Sequence, residues 1–91
     1  PKGVMVTHAN VCSYVDWFST AFEIGAADKF DFSSSISFDL SVTTSLLPLL
    51  RGATVVVCSD EVKKDSRAYL TQLAEHGVTV AKLTPSYVDV L

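Results

Sequence analysis

Two charged side chains in apolar stretches are the first candidates for binding chemistry. Asp39 lies between Phe38 and Leu40, and Lys82 follows the apolar pair Val80 and Ala81. An ion in an apolar setting needs a partner, because burying it unpaired is costly. A carboxylate can pair with a ligand's ammonium group, and a lysine can reach into a cavity. Simpler alternatives stay open: the carboxylate can cap a helix, and the lysine can extend its ammonium group to solvent.

Other reactive residue types form no recognisable catalytic or metal site. Cys12 and Cys58 lie 46 positions apart without a ligand partner at metal-binding spacing, so we expect two reduced core thiols. His8 and His76 also lack such partners and are expected in a loop or at a helix end. The serines at 33–35 have no nucleophile-elbow glycines around them.

Composition favours a piece of a larger protein over a free-standing domain. The chain is 48% hydrophobic and only 19% charged, although a small domain has much surface to cover with polar groups. It also starts without Met and stops inside an apolar run, so residues 1–91 are expected to be an internal segment cut at both ends.

Charge and hydropathy disfavour several partners. The net charge is -3 with scattered Lys and Arg, so no basic stripe is present for nucleic acid. No apolar run approaches the roughly 20 residues of a membrane span, and no signal peptide is visible. A cytoplasmic location without membrane contact is therefore expected.

Helix signals recur four times. Thr7 or Asn10 can cap a first helix that stops near Gly25, and Ser37 or Asp39 can cap a second that Gly52 closes. Pro48 would kink the second helix or start a separate turn there. Further helices are predicted from the cap Asp65 to His76-Gly77, and from Thr84-Pro85 to the end of the chain.

Between these helices, apolar and alternating segments predict strands at 3–6, 30–32, 53–58 and 78–83. The third is β-branched nearly throughout, as expected of a strand buried on both faces. Alternating strands and helices predict an α/β fold with a mainly parallel sheet of βαβ units. Ligands bind such sheets at the carboxyl ends of the strands, so the candidate loops are 7–10, 33–41, 59–65 and 82–86.

Several segments together resemble a known family. Pro1-Lys2-Gly3-Val4, followed by His8-Ala9-Asn10, looks like the end of the phosphate-loop motif of adenylate-forming, AMP-binding enzymes. The segment 37–42, Ser-Phe-Asp-Leu-Ser-Val, and the segments 49–56 and 80–87 are similar to adenylation domains of nonribosomal peptide synthetases. The resemblance implies that residues 1–91 are a fragment of the large N-terminal, AMP-binding subdomain.

The resemblance also implies an activity. Such ligases bind an amino acid, ATP and Mg²⁺, form an aminoacyl adenylate and release pyrophosphate. They then pass the acyl group to the phosphopantetheine thiol of a peptidyl carrier protein, commonly in secondary metabolism. The implied partners are the amino acid, the carrier protein and the rest of the adenylation domain. No catalytic residue of the family falls within this chain, which is expected neither to turn over ATP nor to bind it tightly by itself.

Residue roles follow by the same resemblance. Asp39, in the motif that Phe38 opens, would bind the substrate's α-ammonium group, and Lys2 would help to hold ATP phosphates. Leu40, Thr43 and Lys82 match positions that line the side-chain pocket. With Asp39 they read Asp-Leu-Thr-Lys, which resembles the start of the pocket signature for aspartate or asparagine.

Three alternatives remain open on the sequence. D-alanine-carrier-protein ligases look similar around Phe38, but the methyl group of D-alanine needs no polar partner such as Lys82. Acyl-CoA synthetases and luciferases activate acids that have no ammonium group for Asp39. A non-catalytic α/β binding module is the alternative of a different class.

Overall fold

Among the described residues, two short strands alternate with helices up to residue 57, and three helices follow. The computed structural model describes residues 2–37 and 40–91, apart from the side chain of Leu40. Within these residues the helices are α1 (His8–Ala21), α2 (Leu40–Leu50), α3 (Asp60–Lys64), α4 (Ser66–Glu75) and α5 (Pro85–Val90). The strands are β1 (Lys29–Phe32) and β2 (Thr54–Val57).

The sheet has β1 at its centre. β1 and β2 pair in parallel, with Phe30 opposite Val55. On the other edge of β1, Val80 forms an isolated parallel bridge to Phe30. The parallel α/β class predicted from the sequence is therefore confirmed, and the chain after Val80 runs alongside the carboxyl end of β1.

The predicted strand 78–83 is reduced to that single bridge. The Lys29 N–H donates to the Thr79 hydroxyl at 3.0 Å, so a side chain takes a position that a backbone carbonyl would hold in a longer ladder. The chain then leaves the sheet to begin α5.

One further strand prediction is wrong, and so is the predicted burial of another strand. Residues 3–6 form no strand and no pairing within the described part of the chain, and Met5 is 97% exposed. β2 exists, but it is not buried on both faces, since Val57 is 74% exposed. Strand pairing and burial both depend on neighbouring chain, and among the described residues the one strand that pairs with β2 is β1.

Thr7, one of the two predicted caps, caps α1 in a capping box with Asn10. The Thr7 hydroxyl accepts from the Asn10 N–H at 3.1 Å, while the Asn10 side chain accepts from the Thr7 N–H at 3.0 Å. The helix ends at Ala21, before the predicted stop at Gly25.

α2 connects the carboxyl end of β1 with β2. It continues through Pro48 without the separate turn considered above, and Gly52 follows it at a φ of 70°, where glycine has no Cβ penalty. Of its two predicted caps, Asp39 lies outside the described residues. The N–H of the other, Ser37, donates to the Ser35 hydroxyl.

The remaining caps match local sequence signals. Asp65 accepts from the first N–H groups of α4, and Thr84 precedes the Pro85 that opens α5. The short α3 was not predicted, because 59–65 was assigned to a loop. It is capped by the Ser59 hydroxyl.

The two faces of β1 have different neighbours. Phe30 packs with Val15 of α1 and Leu47 of α2 in an apolar cluster. Asp31 points to the opposite face, where it meets Tyr69 of α4. In the described part of the chain, no helix combines the length and apolarity needed to cross a membrane.

Candidate functional site

The fold brings Thr43 and Lys82 together at the carboxyl end of β1. Thr43 lies in the first turn of α2, the helix that follows β1. Lys82 is two residues beyond Val80, which pairs with Phe30. Both positions therefore lie at the strand end where parallel sheets bind ligands.

Lys82 donates to the Thr43 hydroxyl over 2.9 Å. Thr43 is 1% exposed and Lys82 is half-buried, so this contact links a ligand-accessible ammonium group to the protein interior. The predicted proximity of these two side chains is observed, although 39 positions separate them in sequence.

A third side chain, Tyr14 of α1, completes the cluster. Its hydroxyl lies 2.5 Å from Thr43 Oγ1 and accepts from Lys82 Nζ over 3.5 Å. Lys82 Nζ also lies 5.9 Å from the centre of the Tyr14 ring, within cation–π range. We call Tyr14, Thr43 and Lys82 the lysine cluster.

The lysine cluster opens on a cavity of about 470 Å³. The other residues that line it are Val6, Asn10, Val11 and Val42. A second cavity of about 500 Å³ also reaches Lys82, but Thr43 and Tyr14 do not line it. The first cavity is therefore the one that all three members of the cluster face.

Lys82 has no ion-pair partner among the described residues. Among residues 2–37 and 40–91, no carboxylate lies within 4 Å of the Lys82 ammonium group. The ion pair in this part of the chain is formed elsewhere, between Arg51 and Asp16. Asp28 lines the second cavity, but its two oxygens accept from the Gly25 N–H and the Thr79 hydroxyl. These two hydrogen bonds also lower the pKa of Asp28. The cluster can thus bind an anion or a strong hydrogen-bond acceptor.

The other predicted site residues are not joined to the cluster by any described contact. Phe38 and Asp39 lie outside the described residues, and the side chain of Leu40 is not described. Lys2 is exposed, with no hydrogen bond or ion pair in the described structure. Their assigned roles therefore stay predictions.

A second polar cluster lies on the opposite face of β1. The buried Asp31 accepts through Oδ2 from the Tyr69 hydroxyl at 2.5 Å and from Ser33 Oγ at 2.6 Å. Its other oxygen is buried without a hydrogen-bond partner among the described residues. Burial raises the pKa of Tyr69, and the hydrogen bond to Asp31 raises it further.

The two cysteines differ in burial, whereas both histidines lie at helix ends. Cys58 is buried as expected, and burial together with the Asp31 charge raises its pKa. Cys12 is exposed, which corrects the prediction of two core thiols, because the buried position of α1 is taken by Val15. His8 begins α1 and His76 caps the end of α4, so both are helix-end residues as predicted.

Comparison with known proteins gives this geometry its context. The family model described as AMP-binding enzyme matches residues 1–91. The chain belongs to the AMP-binding enzyme family. Relatives of this AMP-binding chain include tyrocidine synthase 3 of Brevibacillus parabrevis, 37% identical over 93 residues. The hybrid PKS-NRPS synthetase pynA of Aspergillus niger is 35% identical over 91 residues. Each match spans 100% of this chain, but 1% and 2% of the respective relative.

A solved structure is also similar to this chain in fold and sequence. The crystal structure of IdnL7 matches this AMP-binding chain with a TM-score of 0.82 and 31% identity. The match covers 98% of this chain and 18% of the IdnL7 chain. The resemblance to adenylation domains of peptide synthetases, stated above on motifs, is thereby confirmed, and so is the fold.

Sequence reasoning missed Tyr14 and the Asp31–Tyr69 pair. Tyr14 lies three positions after Val11 on the core-facing side of α1, so its spacing gave a signal that went unused. Asp31 was predicted to lie in a strand of alternating apolar and polar residues. That pattern does not tell which face of β1 is covered by a helix.

Proposed function

We propose that this chain forms part of the amino-acid pocket of an adenylating enzyme that activates aspartate or asparagine. The reaction would join the substrate carboxylate to the AMP moiety of ATP and release pyrophosphate. Membership of the AMP-binding family supports the reaction class, and the lysine cluster supports the substrate class. The matched relatives are far longer than this chain, so the proposal concerns a longer protein that contains it.

The observation that carries the proposal is the hydrogen bond from Lys82 to Thr43 beside the cavity. An ammonium group without a nearby described carboxylate favours a ligand group that accepts hydrogen bonds. The side chains of aspartate and asparagine both present such an oxygen. A leucine side chain of similar size would leave the ammonium group desolvated and unpaired, which is unfavourable.

The neighbouring motif residues supply the rest of this proposed pocket wall. Asp39 would pair with the α-ammonium group of the substrate, and Phe38 and Leu40 would contribute apolar surface. Asp39 directly precedes α2, four positions before Thr43. The two ends of the amino acid would then be recognised by one short stretch of chain and by Lys82.

ATP and Mg²⁺ would bind chiefly to other parts of the longer protein. Among the described residues, no group of three or more His, Cys, Asp and Glu is placed to hold a metal ion. Lys2 is the one residue here assigned to the ATP phosphates. Transfer of the acyl group to a carrier-protein thiol is the step that this family relationship suggests next.

Amino-acid-dependent exchange of pyrophosphate into ATP tests the proposal on the full-length protein. We expect exchange with aspartate or asparagine to exceed that with leucine and D-alanine by at least about 100-fold, since a binding site built for a polar group strongly rejects its absence. Preference for leucine would contradict the pocket assignment, and preference for D-alanine or a fatty acid would favour the alternative ligases. No exchange with any acid would favour a non-catalytic module.

A further inference from the structure

Tyr14 holds the other two members of the lysine cluster in place. It comes from α1, whereas Thr43 comes from α2 and Lys82 from the segment after the Val80 bridge. Its hydroxyl contacts both of the other polar groups, and its ring centre lies 5.9 Å from Lys82 Nζ. Tyr14 therefore helps to hold Lys82 through its hydroxyl end.

Two hydrogen-bond donors of the lysine cluster have no acceptor among the described contacts. Lys82 carries three N–H groups, of which one is directed to Thr43 and one to Tyr14. The two hydroxyl groups share a single hydrogen across their 2.5 Å contact, so one hydroxyl hydrogen remains. No described contact uses this hydrogen or the third N–H, so among the described residues the cluster has two unused donors beside the cavity.

Two donors without a described acceptor and one positive charge would fit one of the two substrates proposed above better than the other. A side-chain carboxylate has two acceptor oxygens, carries a compensating charge and has nothing to donate. A carboxamide has one acceptor oxygen, no charge and two N–H groups of its own. Within the lysine cluster those N–H groups would face mainly other donors, which leaves them poorly satisfied.

We propose that Tyr14 is a positioning residue that orients Lys82 toward an acidic side chain, so that aspartate is preferred over asparagine. This inference rests on the proposed function, because it assumes that Lys82 faces the side chain of the amino acid. Tyr14 does not touch the reacting carboxyl group in this account. It acts through the position of Lys82 and through the number of donors facing the cavity.

Tyr14→Phe tests this role in the full-length protein, because it removes the hydroxyl and keeps the ring. The readout is the ratio of kcat/KM for aspartate to that for asparagine, measured by pyrophosphate exchange. We expect the wild-type ratio to exceed about 10, and the substitution to lower it about 10-fold, as for the loss of one hydrogen bond at an ion. The KM for ATP should stay within about twofold.

The matched control is Tyr87→Phe. The hydroxyl that this substitution removes donates to the Lys63 carbonyl on the other side of the sheet. It should leave the substrate ratio unchanged. A wild-type preference for asparagine, or a ratio unaffected by Tyr14→Phe, would overturn the inference while the proposed function stands. A wild-type enzyme that prefers leucine would refute both, and this result appears before any variant is made.

Discussion

The substitution Tyr69→Phe removes one hydroxyl from the buried contact between α4 and β1. Tyr69 is 0% exposed, and its hydroxyl donates to the Asp31 carboxylate at 2.5 Å. Asp31 is 1% exposed, and its second oxygen already lacks a partner among the described residues. After the substitution, the described contacts would leave this carboxylate only the Ser33 hydroxyl.

The expected cost is about 2 kcal/mol, because a buried charged acceptor loses a hydrogen bond and cannot recover it from water. The substitution keeps the apolar contacts, since a phenylalanine ring can pack edge-on against Tyr87 as the Tyr69 ring does, with 5.6 Å between the ring centres. The cost should therefore appear in the local opening of α4 away from β1, without loss of the apolar cluster around Phe30.

Hydrogen–deuterium exchange measures that opening on the full-length protein. A loss of about 2 kcal/mol corresponds to amides of α4 exchanging about 30-fold faster. Tyr87→Phe is the control, since its hydroxyl serves a half-buried carbonyl, and it should change exchange in α4 by less than about tenfold. Equal exchange in α4 of wild type and Tyr69→Phe would refute the claim that this hydrogen bond holds the helix to the sheet.

Two other predictions concern titration and thiol reactivity. Because the pKa of Tyr69 is raised, its neutral form stabilises the fold fully below about pH 10, and this stabilisation is lost as the pH rises further. Denaturation at increasing pH should show a steeper loss of unfolding free energy for wild type than for Tyr69→Phe; equal slopes would contradict this. A thiol reagent should label the exposed Cys12 in the native protein and Cys58 only after unfolding, because Cys58 is buried and its pKa is raised. Equal native labelling of both would disprove the burial of Cys58.

Local signals in the sequence were sufficient for most helices. Thr7, one of two predicted caps, and the predicted cap Asp65 each cap their helix, and α5 begins at Thr84-Pro85 as predicted. These interactions join residues two or three positions apart, so they can be read without knowing the fold. The parallel order followed from the alternation of elements, which short right-handed connections constrain strongly.

Non-local packing explains what the sequence did not reveal. Tyr14 meets Lys82 across 68 positions, and Tyr69 meets Asp31 across 38, so neither pair has a local pattern. The burial of β2 was overestimated because an apolar strand does not tell which neighbours cover it. For the site, spacing alone left Asp39 and Lys82 with structural alternatives, and the prediction that they share one pocket came from the family resemblance.

The most direct test of the central claim is the substrate selectivity of Lys82→Met in the full-length protein. We predict that kcat/KM for the preferred polar amino acid falls at least about 100-fold, since the substrate side chain loses a charge-assisted hydrogen bond. The value for leucine should be unchanged or higher. Lys64→Met, at an exposed lysine in α3, serves as the control and should keep wild-type selectivity. Selectivity for aspartate or asparagine that survives Lys82→Met would contradict the account.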